Sequence, residues 1–185
     1  MQGNNGMMRA ITIGLLMLAQ PVPGLAQSRN YAPVFADIGR AVPVPDADFL
    51  PTDSMVLKHS YDMAEKAPDG AVHPALQSAA RFMNMTVGNG MAANRVKVAV
   101  VVHGPASVDL TNAAFYAGKR EGKTNPNVAA IAALTKAGVQ IILCGQAAAG
   151  HGIEKSDLLP GVKLSWAAST AHAILQADGY SLNPF

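Results

Sequence analysis

The segment RVKVAVVVHG, residues 95–104, constrains this chain most. Val98 to Val102 runs without a polar residue. A strand with one wet face alternates polar and apolar residues; an unbroken run belongs to a strand covered on both faces, as in a parallel sheet. VQIILC, 139–144, has the same character. Helical spacing lies between such runs. Pro74 suits a first helical position, and Leu76, Ala79, Ala80, Met83 and Val87 follow at helical intervals until Gly88 and Gly90. A short helical stretch is expected around Leu110 to Ala117. Asn125-Pro126 reads as a cap and first helical residue, before Val128, Ile131, Ala132 and Leu134 and a stop at Gly138.

MVLKHSYDM, 55–63, reads as the first strand and VKLSWAAS, 162–169, as the fourth. SDLLPG, between the later strands, reads as a turn or one-turn helix. Ser169 is the expected cap of a last helix through Ala173, Ile174 and Ala177, and YSLNPF is a candidate edge strand. Repeated strand–helix units imply an α/β fold: a single domain with a mostly parallel four- or five-stranded sheet and helices on both faces. Ligands of such sheets sit at the carboxyl ends of the strands. His103 and Cys144 each end a central strand and therefore fall on that rim.

Two stretches precede this domain, which is expected to span 55–185. Arg9, the apolar run Ala10 to Ala19, the breakers Pro21, Pro23 and Gly24, and the small residues up to Ala26 have the pattern of a secretory signal peptide over 1–26. The run is too short for a stable membrane span, which needs about 20 residues. The expected destination is the periplasm or the exterior. Residues 27–54 hold Pro33, Pro43, Pro45 and Pro51 without sustained periodicity and read as an extended arm.

Half the residues are hydrophobic and 14% are charged, which argues against disorder. Lys and Arg are scattered and the net charge is +2, so there is no electrostatic footprint for nucleic acid. The five histidines, His59, His73, His103, His151 and His172, have no metal-ligand spacing with the single Cys144, so no metal site is expected. GNG at 88–90 follows no strand, which argues against a dinucleotide fingerprint, and there is no GxSxG elbow. Nothing calls for a bound cofactor.

One cysteine cannot form an internal disulfide. An odd thiol in an exported chain suggests intermolecular pairing or a reactive group, or else it is a small buried hydrophobe, and the residues leave these open. Cys144 is followed by Gly145, which admits close backbone approach, and by Gln146, where a helix is expected to begin. Free N–H groups there, and His151 nearby, would favour a thiolate. His103 and Gly104 follow the central strand, where His103 is either a proton donor and ligand contact or a structural histidine. Asn112 either lines the same cleft or caps a helix. Trp166 reads as core or subunit interface.

Taken together, KVAVVVHGPA (97–106), NPNVAAIAALTKAGVQIILCGQAAAGHGI (125–153), DLLPGVKLSWAASTAHAILQADGY (157–180), the closing NPF and PVPDADF (43–49) resemble the DsrE/DsrF-like family, in its exported branch. The resemblance implies parallel strands flanked by helices and a homotrimer or homohexamer. It also implies a sulfur carrier or binding protein, rather than a turnover enzyme, that exchanges persulfide sulfur with a donor or acceptor protein. Cys144 falls where relay members keep their sulfur-carrying cysteine. Position 151 is His where many relatives are expected to have arginine, which would make any anion stabilisation there pH-dependent. The alternative is a non-catalytic oligomeric binding module with a structural cysteine.

Overall fold

A computed structural model describes residues 31–42 and 44–183. The expected leader, Pro43 and the last two residues of the closing NPF lie outside the described residues.

Five strands form one parallel sheet: β1 (Leu57–Met63), β2 (Val96–Val102), β3 (Gln140–Cys144), β4 (Lys163–Ser165) and β5 (Ser181–Leu182). Their order is β4-β3-β2-β1-β5. The helices are α1 (Pro74–Gly88), α2 (Ala113–Lys119), α3 (Val128–Lys136), α4 (Gly145–His151) and α5 (Ala168–Ala177). The order explains the layering. The chain steps from β1 to β4 in one direction, so crossovers of constant hand put α1 to α4 on one side. It then returns across the whole sheet to β5, which sends α5 to the opposite side.

Strand alternation divides the core accordingly. Tyr61, Met63, Val98, Val100, Val102, Ile141 and Leu143 belong to the larger cluster, with Leu76, Met83, Ile131 and Leu134. Ala99 and Val101 meet Ala171, Leu175 and Tyr180 on the α5 side. This is the two-sided burial that the apolar run in β2 requires. One helix cannot cover five strands, and a groove of about 480 Å³ remains beside α5, lined by Ile142, Leu164, Trp166 and Ile174 among others.

Residues 31–41 dock on α1 chiefly through Asn84, with Gln77 Oε1 accepting from the Gly39 N–H and Arg81 Nε donating to the Arg40 carbonyl. Fully buried Asn84 accepts from the Val34 and Phe35 N–H groups and donates to the carbonyls of Phe35, Ile38 and Gly39. Phe35 is thereby seated in the main core.

Several boundaries differ from the sequence reading. Helix α3 begins at Val128, with Asn127 as its cap residue, because the Asn125 side chain turns inward, accepting from Asn127 N and donating to the carbonyls of Asp109 and Thr111. Helix α5 starts at Ala168, and its cap residue is Ala167, with no side-chain cap bond from Ser169. Strand β4 is only three residues long and ends at Ser165, so Trp166 is not core: it is 84% exposed. No helix among the described residues is long and apolar enough to cross a membrane.

Candidate functional site at the carboxyl rim of the sheet

Cys144 is the last residue of β3 and the cap residue of α4. It pairs with Ser165 of β4. Alternation from Leu143 turns it to the α5 side, and it is 6% exposed. The next residue has to be glycine: a Cβ at Gly145 would stand 2.6 Å from the Ser165 carbonyl oxygen and 3.0 Å from that of Trp166. Close contact of these two backbones holds the β3–α4 corner against the end of β4. Gln146 is exposed and donates from Nε2 to the Trp166 carbonyl at 3.5 Å.

His103 follows β2 in extended conformation, and its N–H still bonds to the Met63 carbonyl at 2.9 Å. Val102 pairs with Leu143, so His103 and Cys144 occupy the next positions along two adjacent strands. Adjacent strands lie about 4.8 Å apart, and alternation puts both residues on the α5 side. The chain then turns at Gly104, whose φ of +55 suits glycine and whose Cβ would lie 3.1 Å from the Ala64 carbonyl oxygen. His151, the last residue of α4, donates from Nε2 to the Gly104 carbonyl at 3.0 Å. It braces α4 against the turn that carries His103. Asn112 caps α2, its Oδ1 accepting from the Phe115 N–H at 3.0 Å, so its side chain is committed to the helix end.

Two residues that the sequence did not assign to the site join this rim. Asp62, one residue before the end of β1, accepts from His103 Nε2 at 2.9 Å and from His172 Nε2 of α5 at 2.8 Å. Burial works to raise the Asp62 carboxyl, but hydrogen bonds from His172 and His103, with their charges, outweigh it and hold Asp62 below the usual carboxylate value. The signals were present. Asp62 lies between Tyr61 and Met63 and so faces away from the main core, and His172 shares the inward stripe of α5 with Ala168, Ala171 and Leu175. Alternation and helical spacing place each on the α5 side; their meeting depends on the return crossover.

The other side of the rim is held by a buried polar network. Asp109 accepts from the Ala67 N–H at 2.8 Å, and Asn127 accepts from the His73 N–H at 2.8 Å. His73 accepts at Nδ1 from Ala75 N and donates at Nε2 to the Glu65 carbonyl. These bonds fix the loops that follow β1 and β2 and satisfy their buried groups. Among the described residues no group of three or more His, Cys, Asp or Glu side chains is arranged to hold a metal ion.

Comparison with known proteins identifies a family. The DsrE/DsrF-like family matches residues 65–184. None of the curated proteins matches the chain. Among solved structures, it is similar to MTH1491, a protein of unknown function from Methanobacterium thermoautotrophicum, at 16% identity and a TM-score of 0.48, covering 68% of this chain and 98% of that one. It is also similar to the ychN protein from E. coli, at 20% identity and a TM-score of 0.46, covering 69% of this chain and all of the other. With the family matched over well more than half its length, the chain belongs to the DsrE/DsrF-like family.

Proposed function

We propose that this protein is an exported DsrE-like sulfur carrier that binds sulfur on Cys144. The observation that carries the reading is the position of the chain's single cysteine: it ends central strand β3 on the carboxyl rim, next to His103 and against the Gly145 corner. The Cys144 thiolate attacks the outer sulfur of a persulfide or polysulfide. The donor's S–S bond breaks, a new Sγ–S bond forms, and the donor leaves as a thiolate. The terminal sulfur then passes to an acceptor protein by the reverse chemistry. His103 and His151 shape the rim around the thiol, and no bound cofactor is needed. The leader pattern supports periplasmic or secreted placement, and the family supports a homotrimer or homohexamer.

The test is mass analysis of native protein incubated with polysulfide. A mass gain of sulfur on Cys144, removed by a reducing thiol, is expected. Cysteine that stays unmodified when native but labels fully after unfolding would end this reading.

The near-complete burial of Cys144 favours a second reading, a binding or assembly module whose cysteine only packs. Its working surface would be the groove with exposed Trp166 and Ile174. Light scattering checks the assembly: a mass of three or six chains is expected, with Trp166→Glu reducing it to one. An unchanged mass for that variant would place the contact elsewhere.

A further inference from the structure

Two histidines from different elements share one carboxylate, and only one of them keeps a reachable basic nitrogen. An ionised carboxylate can only accept. Asp62 Oδ2 takes the hydrogen bond of His103 Nε2, and Oδ1 takes that of His172 Nε2. Both imidazoles therefore carry hydrogen on Nε2, and the basic nitrogen of each is Nδ1. In His172 that atom is buried with no partner. In His103 it bonds to no described residue, and the side chain is 34% exposed against 17% for His172. His172 is placed to hold Asp62; His103 is placed to exchange a proton.

We infer that Asp62, His103 and His172 form a proton-transfer site on the sheet rim, with His103 Nδ1 as the exchanging atom and Asp62 and His172 as positioning residues. The inference rests on the sulfur-carrier reading for the source of the proton. The elements that meet here present Asp62 from β1, His103 after β2, Cys144 from β3 and His172 from α5. An imidazole is the usual base that activates a thiol. The Sγ–H bond of Cys144 breaks with its electron pair left on sulfur, its proton passes to a bridging water, and that water gives a proton to His103 Nδ1, where an N–H bond forms. The imidazolium is balanced by Asp62. After sulfur transfer, the same proton goes to the departing thiolate of the donor, so His103 returns to its starting form. No electron acceptor is required. The substrate class is a persulfide or polysulfide whose leaving sulfur needs a proton.

Two measurements separate this site from the reading it rests on. The first is NMR of the histidine ring nitrogens in the full folded protein. It should show hydrogen on Nε2 and none on Nδ1 in both His103 and His172 when the rings are neutral. Asp62→Asn should disturb the His103 tautomer. Hydrogen on Nδ1 of neutral His103 would overturn the inference whatever Cys144 does. The second is the rate of sulfur uptake by Cys144 from polysulfide, followed by mass as a function of pH. His103→Gln should slow uptake on the order of 100-fold, as loss of a proton-transfer group does. Asp62→Asn should slow it about 10-fold, an order-of-magnitude expectation for a positioning group, and change its pH profile, with His172→Gln, which keeps a donor, closer to wild type. Uptake that proceeds in all three variants within twofold of wild type would overturn the proton site and leave the carrier standing. No uptake in the wild type would remove the carrier, and the ring-nitrogen spectrum would then decide alone whether the exchanging atom is His103 Nδ1.

Discussion

At the scale of single residues, the rim depends on positions where one atom more or less matters. Gly145→Ala would push a methyl group into the Ser165 and Trp166 carbonyls. Backbone cannot swing aside like a flexible side chain, so the corner must open. A loss of about 1–3 kcal/mol is expected, the usual cost of overpacking, read by urea unfolding. An Ala variant as stable as wild type would show that the close approach is not required. Cys144→Ala removes a small buried side chain and should cost about 1 kcal/mol. The same urea titration checks it, and a loss several times larger would favour a structural role for the thiol. The site residues differed in legibility. Cys144 and His103 could be found because each directly follows an apolar run. Asp62 sits inside a strand with weak alternation, and His172 inside an alanine-rich helix, so neither signals a partner more than a hundred residues away.

At the scale of elements, the arm and α5 show how few contacts position a segment. Five hydrogen bonds from Asn84 hold residues 34–39 on α1. Asn84→Ala would strand the Val34 and Phe35 N–H groups in a buried place, and each unsatisfied donor costs about 1–3 kcal/mol. The arm is expected to lift before the domain unfolds. Hydrogen exchange should show lost protection in 34–41 with β2 and β3 unchanged. Equal loss across the sheet would mean that arm and domain melt as one. Helix α5 was legible as an element, but its start was not. Ser169 resembles a cap in sequence, yet the helix begins before it at Ala168, set by packing of Ala168, Ala171 and Leu175 on the sheet. Packing outweighs a single cap bond of about 1 kcal/mol.

At the scale of the whole molecule, two carboxylates should bend the stability curve in opposite directions. Asp62 has a lowered pKa because hydrogen bonds from His172 and His103 outweigh burial. Its contribution is present above the unfolded value of about 3.9 and is lost as pH falls through the lower folded value. Asp109 has a raised pKa because burial outweighs the Ala67 hydrogen bond and nearby Arg120. As pH rises from about 3.9 through its folded value, the unfolded chain ionises first, so stability falls. Asp109→Asn keeps an oxygen for the Ala67 N–H and removes the buried charge. Its stability relative to wild type should therefore improve as pH rises through that window. Urea unfolding across pH tests this, and a difference independent of pH would refute the Asp109 assignment.

The sequence by itself determined the layered architecture. Unbroken apolar runs in β2 and β3 can be buried only between two layers, and the helical stretches between strands supply them. Alternation and spacing are local properties, written within ten residues, so the elements and the rim positions of Cys144 and His103 were readable. Tertiary structure alone decided which distant residues meet. The return crossover from β4 to β5 carries α5 across the opposite face of the sheet and sets His172 on Asp62. It also leaves Trp166 in solvent, because β4 ends at the sheet edge before reaching it. Neither outcome has a local cause, since both follow from the order in which the strands pair.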